Sequence, residues 1–186
     1  MNERTIRLRG GERITVRSMT AGDAEAVRTA FGHLSPASLR SRFFTPMPRL
    51  TRGVVADLTL VDDRRIVLLA LDETGQVIGE ARAVRRREDP ATAEIAVTVD
   101  DAHHRRGVGS ALMRHLRREA ERAGIERLAG HILTDNSAAQ ALLLRGDAVA
   151  SFAEPGVLGF EIPLAGAAAV AAPSDRVAVT TLELAS

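Results

Sequence analysis

The chain has 186 residues, a formal net charge of +1, and 45% of its residues in the hydrophobic class. That is enough apolar side chain for one domain with a buried core, and the near-neutral balance leaves no electrostatic footprint for nucleic acid or an acidic membrane. Five Phe with no Trp or Tyr argue against a base-stacking platform, and the absence of Cys removes disulfides, thiolate zinc sites and a cysteine nucleophile.

The first residues, MNERTIRLRGGERITV, lack the apolar run of a signal peptide. No stretch reaches the roughly 18 apolar residues that span a bilayer, so the chain reads as cytoplasmic. All 25 basic residues are Arg. The protein therefore has no ε-amine of its own to acylate.

Glu12–Arg17 alternates like a strand. Thr20 stands where a cap opens a helix through Ala21–Leu34, with Asp23 and Glu25 in its first turn. Ser35-Pro36 reads as an N-cap with a first-turn proline, starting a second helix to about Phe43; Pro46 and Pro48 end it. Thr51–Leu60 is a third short helix. Arg64–Leu71 and Gln76–Arg86 form a hairpin turned at Thr74-Gly75, and Thr92–Val99 is a further strand. Arg105–Ala123 places Val108, Leu112, Leu116 and Ala120 at helical spacing and stops at Gly124.

Arg127–Thr134 is the next strand and Ser137–Arg145 a helix capped by Asp135 or Asn136. Val149–Phe152 and Val157–Ile162 are a closing pair turned at Pro155-Gly156. This order predicts an α+β fold, a mixed α/β sandwich with six to seven strands flanked by helices and one central β-α-β crossover. Residues 1–164 form the domain. Residues 165–186 are an Ala-rich tail, either disordered or adding a strand, and a candidate for partner contact or homodimerisation.

The informative segment is Asp101–Leu112, where a strand ends, a loop turns and a helix begins at Gly107 and Gly109. Glycines there let a ligand approach the backbone closely and can take positive φ. The first helical amides have no intrahelical acceptor and carry the positive end of the dipole, so they form an anion site. Arg105 and Arg106 add charge suited to a pyrophosphate. A P-loop needs a Lys, which this chain lacks, and a dinucleotide fingerprint needs a small residue where Leu112 stands.

His104-Arg105-Arg106-Gly107-Val108-Gly109 resembles the central [QR]-x-x-G-x-[GA] motif of the GNAT acyltransferase superfamily, with His104 in place of the usual Gln or Arg. Ala93–Val99 resembles the strand before that motif, and Thr134–Ala139 the start of the later helix. The resemblance covers about residues 12–163. It implies a GNAT fold with a V-shaped splay between the central strands, and acetyl-coenzyme A as co-substrate with no metal. It places the cofactor on Val97, Thr98, Val99, His104, Arg105, Arg106, Gly107, Val108, Gly109, Ser110 and Asn136, with main-chain groups near Val97 and Val99 pairing with the pantetheine arm.

Acetyl transfer needs a neutral amine, and a lysine amine with a pKa near 10.4 must first lose a proton. Glu94, on the strand before the cradle, is the candidate general base. By alternation it points opposite to Ile95, Val97 and Val99, and partial desolvation at the splay would raise its pKa. An arginine from Arg85–Arg87 is the competing partner. Many family members use a Tyr as general acid; here Leu142-Leu143-Leu144 fills that neighbourhood and reads as core. His103 and His104 flank the cradle as a polar loop pair, and His131 lies on a line toward the cleft as a substrate or proton-relay candidate.

Leu34–Phe44 followed by Pro46–Thr51 is similar to a segment of bacterial protein lysine acetyltransferases, whose acceptors are lysines of metabolic enzymes such as acyl-CoA synthetases. Arg40, Arg42 and Arg49 would line the acceptor groove or touch the cofactor's phosphates, or form a solvated helix face. Only 11 residues precede Glu12–Arg17, so direct cyclic-nucleotide control is not expected. The expected activity is N-acetyl transfer to a primary amine, a protein lysine first. The alternatives are a small-molecule amine acceptor and a non-catalytic acyl-CoA sensor.

Overall fold

In chain order the elements are β1 (Arg4–Arg7), β2 (Arg13–Ser18), α1 (Ala24–Gly32), α2 (Pro36–Phe43), α3 (Arg52–Leu58), β3 (Arg65–Leu71), β4 (Val77–Arg85) and β5 (Thr92–Val99). Then come α4 (Val108–Arg122), β6 (Arg127–Leu133), α5 (Ser137–Leu144), β7 (Val149–Glu154), β8 (Val157–Pro163) and β9 (Arg176–Val177). The computed structural model describes residues 3–46, 50–144, 148–164 and 176–177; Arg49 and the remainder of the 165–186 segment lie outside them.

All strands join one sheet in the order β1-β2-β3-β4-β5-β6-β8-β7-β9. Every adjacent pair is antiparallel except β5 and β6, which α4 connects in parallel. The sheet is thus wider than the six to seven strands expected. At one edge β1 pairs with β2 from Arg4↔Val16 to Arg7↔Arg13, its apolar alternation masked in sequence by flanking arginines. At the other edge β9 adds Arg176 and Val177 beside Ser151 and Ala150.

The α1 region opens one turn later than its sequence suggests, after a 3-10 turn at Ala21–Asp23. Asp23 anchors that turn. Its carboxylate accepts from Thr20 N–H at 2.7 Å and Thr20 Oγ1 at 2.8 Å, and takes a two-pronged bond from Arg17 at 2.8 and 2.6 Å. The Arg17 bonds hold the Asp23 carboxyl far below the usual carboxylate range, against the opposing effect of burial. Asp23→Ala should cost about 3 kcal/mol in urea unfolding at neutral pH, because it removes a helix-start acceptor and strands Arg17. Since the folded pKa is depressed, that contribution is present above the ordinary carboxylate range and fades as pH falls through it.

Helices cover both faces of the sheet. On one, Val108, Ala111, Leu112 and Leu116 of α4 pack on Leu68, Ala70, Ala81, Ala83, Ala93 and Leu128, with Leu142 and Leu143 of α5 against the same cluster. On the other, Val27 and Phe31 of α1, Leu39 of α2 and Leu58 of α3 cover Val67 and Leu69 of β3.

The central feature is where β5 and β6 part. Their register runs Thr92↔Arg127, Ala93↔Leu128, Glu94↔Ala129 and stops. Beyond it β5 stays with β4 as far as Gly79↔Val99, and β6 stays with β8 as far as Leu133↔Val157. The sheet therefore opens into the expected V. At its base the Gly130 Cα faces the Phe160 ring; a Cβ there would sit 2.8 Å from Phe160 Cζ and 3.2 Å from the Ile95 carbonyl oxygen. Only glycine lets the strands close up beneath the gap.

Candidate active site

The β5 arm of the V offers main-chain groups to the gap at alternate residues. Arg86 N–H donates to Thr92 O and Asp100 N–H to Ile78 O, so even-numbered β5 residues turn their polar backbone toward β4. Odd-numbered ones face the other way: Ile95 O lies beside Gly130, and Val99 O accepts from His104 Nε2 at 2.9 Å. Val97 thus directs both N–H and C=O into the gap, whereas Val99 directs N–H there and has its carbonyl engaged by His104. Thr98 differs from its neighbours. Its backbone belongs to β4, so it can act only through its hydroxyl.

The cradle stands at the end of β5. Arg105 has φ +59° and Gly107 φ +96°, so two left-handed residues fold the loop back on itself. This is why α4 starts at Val108 rather than at Arg105. Such a loop gathers successive N–H groups into an anion-binding concavity, here merged with the free N–H groups of the first turn of α4. A non-glycine residue held left-handed costs roughly 1–2 kcal/mol, and Arg105 meets that cost where the anion site requires it.

Arg106 is tied to Glu12 at 2.6 Å, while Arg105 is exposed. The Val108 side chain is buried, leaving its amide for the site. Gly109 turns its Cβ position toward Val99 Cγ2 at 3.6 Å and Leu142 Cδ2 at 4.0 Å, so the glycine serves helix-to-strand packing as well as ligand approach. Ser110 is half-buried in the same turn. Across the gap, Asn136 Oδ1 caps α5 by accepting from Ala139 N–H at 3.0 Å, which leaves its amide nitrogen as a donor.

One helix touches both lips. After β5, Asp101 accepts from Ser35 N–H at 2.9 Å, Ser35 Oγ at 2.7 Å and Ser38 Oγ at 2.7 Å. After β6, Asp135 accepts from Arg40 Nη1 at 2.8 Å. Partial burial works against the Asp101 charge, but the Ser35 and Ser38 donors outweigh it and hold its carboxyl below the usual range. Arg40 is therefore a structural tie in this state rather than a free groove residue.

Glu94 lies at the last β5 position paired with β6, opposite in direction to Ile95, Val97 and Val99 as alternation requires. It is not desolvated as expected. Its side chain is 61% exposed and meets Arg86 Nε at 3.2 Å. Helices α1–α3 cover the sheet over β3 and β4 but leave this position open. His131 is also exposed, two residues beyond the Ala129 that pairs with Glu94, and so shares its face on the opposite arm. His103 Nδ1 donates to Asp100 at 3.2 Å and belongs to the loop.

The sequence reading missed a buried polar group on the same face. Glu80 is 1% exposed, and Arg82 donates to it at 2.5 Å while also holding Leu58 O at 2.8 Å and Asp57 O at 3.3 Å at the end of α3. Arg42 of α2 is the second cation near Glu80. Arg42 is half-buried there, with its Nε covered. Complete burial pushes the Glu80 carboxyl up, and Arg82 and Arg42 offset this only in part. The one available signal was an opposite-charge pair at i, i+2 on a strand, which puts both side chains on one face.

Among the described residues no helix is long and apolar enough to cross a membrane. The Acetyltransferase (GNAT) family model matches residues 33–146, which include the cradle, both arms of the V and the start of α5. Acetyltransferase Pat of Mycolicibacterium smegmatis is 32% identical over 159 residues, covering 84% of this chain and 47% of that protein. This chain thus spans about half the length of that curated relative. The GNAT domain of S. lividans PAT superposes with a TM-score of 0.81 at 33% identity, over 87% of this chain and 97% of that one. The yncA protein of Salmonella typhimurium, solved with its cofactor acetyl-CoA, shares the fold with a TM-score of 0.67 at 23% identity, over 86% of this chain and 99% of its own. A sheet split at one parallel pair, an amide cradle at its end and a family match across both place the chain in the GNAT acetyltransferase family.

Proposed function

We propose that the chain is an N-acetyltransferase that moves an acetyl group from acetyl-CoA to a primary amine, a protein lysine being the favoured acceptor, with Glu94 as general base. The observation that carries this reading is the end of the β5–β6 register beside the cradle. An unpaired strand edge at Val97 and Val99 leads straight to clustered amides at Arg105–Ser110. A pantetheine chain can pair along such an edge while its pyrophosphate meets those amides.

The residues fit the group. His104, Arg105, Arg106, Gly107, Val108, Gly109 and Ser110 would hold the phosphates, Val97 and Val99 the pantetheine arm with Thr98 between them, and Asn136 the far side. When bound, acetyl-CoA supplies an activated acyl carbon. Glu94, open to solvent at the base of the gap, takes the proton from an arriving ammonium, and Arg86 gives way as it does so. The lysine preference rests on the likeness to Pat and to the S. lividans PAT domain, together with the open, exposed position of Glu94, which suits an acceptor presented on a protein surface.

Calorimetry with coenzyme A, followed by thiol release with acetyl-CoA and a panel of lysyl peptides and small amines, tests the reading. Binding with peptide-dependent thiol release is expected. The Arg86–Glu94 pair favours one rival, a binding module without turnover, which binding without thiol release from any amine would establish. Gly107→Ala should weaken coenzyme A binding about tenfold, because a side chain at φ +96° costs over 1 kcal/mol and pulls the loop out of its concave form; calorimetry on the folded variant measures it.

A further inference from the structure

The floor of the V is built differently from its walls. On the α4 face of β5 and β6, Ala93 and Leu128 are sealed, whereas Ile95, Val97 and Ile132 are only half-buried against the same core. The change comes at the level of Gly130, one residue past the last β5–β6 pair. Gly130 brings no side chain to that level, and the Phe160 ring of β8 lies over it instead. A Cβ on Gly130 would meet Phe160 Cζ at 2.8 Å, Phe160 Cε1 at 3.1 Å and the Ile95 carbonyl oxygen at 3.2 Å. The far edge of the ring and the β5 backbone therefore converge on one point over Gly130. Phe160 is 6% exposed, so the core holds the ring in place.

We propose that Phe160, lying over Gly130, sets the length of acyl chain that the protein transfers, admitting acetyl and excluding longer straight-chain acyl groups. This rests on the acetyl-transfer reading above and names the acyl class for that site. A pantetheine arm paired at Val99 and Val97 runs down β5 from the cradle toward the base, so the thioester lies beyond Val97, near the level of Glu94. From Val97 to Ile95 the strand rises about 6.6 Å, room for a thioester carbon and its methyl group and little more. The amine and its base approach from the Glu94 face, which by alternation is opposite to that of Ile95 and Val97. The acyl tail is left to the other side, among Ile95, Val97 and Ile132, with the ring as its stop.

Those walls are apolar and suit a hydrocarbon tail, so a longer one is excluded by shape rather than by polarity. An apolar pocket discriminates by about 10–200-fold for a single methylene. A ring wedged between two backbones cannot move aside for that methylene without disturbing the core around it. Leucine in place of Phe160 keeps the side chain out to Cδ and removes the outer ring atoms, among them the Cζ and Cε1 that stand over Gly130.

The test runs acetyl-, propionyl- and butyryl-CoA against the wild type, Phe160→Leu and Phe31→Leu, the last a like change in the α1 cluster on the opposite face of the sheet. With a lysyl peptide as acceptor, wild-type kcat/KM should fall at least about tenfold for each added methylene. Phe160→Leu should raise the butyryl-to-acetyl ratio of kcat/KM by about 10–100-fold, and Phe31→Leu should leave that ratio at the wild-type value. Calorimetry without acceptor gives a readout apart from turnover. Butyryl-CoA should bind the wild type about tenfold more weakly than free coenzyme A does, and Phe160→Leu should remove that difference.

Comparable wild-type turnover of the three thioesters overturns the length limit while leaving the acetyltransferase reading intact. An unchanged ratio in Phe160→Leu overturns the assignment to Phe160. So does an equal rise in Phe31→Leu, which would mark a general loosening of the core. Where Phe160→Leu does not fold, Phe160→Met, nearer in volume and with a movable end, is read in the same way. A wild-type protein that binds no coenzyme A removes the reading of function and the length limit together.

Discussion

Glu94→Gln is expected to lower kcat for acetyl transfer to a lysyl peptide by about 10²–10⁴-fold, while coenzyme A affinity stays within about twofold. The amide is isosteric, cannot accept the proton, and touches no part of the cradle. Arg86 is the neighbour that complicates the outcome. Its bond to Glu94 is exposed on both sides, and such pairs are worth below about 1 kcal/mol, so an incoming ammonium can displace it. Arg86→Gln should therefore leave kcat close to wild type and chiefly alter the acceptor KM. Unchanged turnover in Glu94→Gln on the same peptide would remove Glu94 from the mechanism.

Arg82→Met carries the largest expected loss of stability, about 3–5 kcal/mol by urea unfolding. The substitution removes the donor closest to a carboxylate in the core and also frees two carbonyls at the end of α3, Leu58 O and Asp57 O. Glu80→Leu combined with Arg82→Met should recover much of that loss, since the main penalty is a buried charge left alone, and the two side chains touch and so couple.

Much of the sheet could be read from local pattern. Thr92–Val99 was legible to the residue, because alternation and a charged loop on one side with a glycine-rich start on the other leave little choice. The α2 boundaries followed from Ser35-Pro36, whose serine accepts from Ser38 N–H at 3.2 Å as a cap should. The buried Glu80 and Arg82 were not legible. Alternating polar residues on a strand look like a solvent face, and only the three helices of Ala24–Leu58 that fold over it make it a core. Glu94 failed in the opposite sense: a central strand suggested burial, and the same helices stop short of it. The left-handed Arg105 was hidden as well, since the periodicity of α4 extends smoothly through it while the backbone does not.

Helix α2 is fastened at Asp101 on one lip of the V and at Asp135 on the other. It therefore works as a tie-beam across an open joint. The Asp101 end is riveted by three hydrogen bonds; the Asp135 end is one solvated ion pair, screened by salt. Any load that spreads the arms will part the weaker end first, so α2 should swing with the β5 lip and carry Arg42 along.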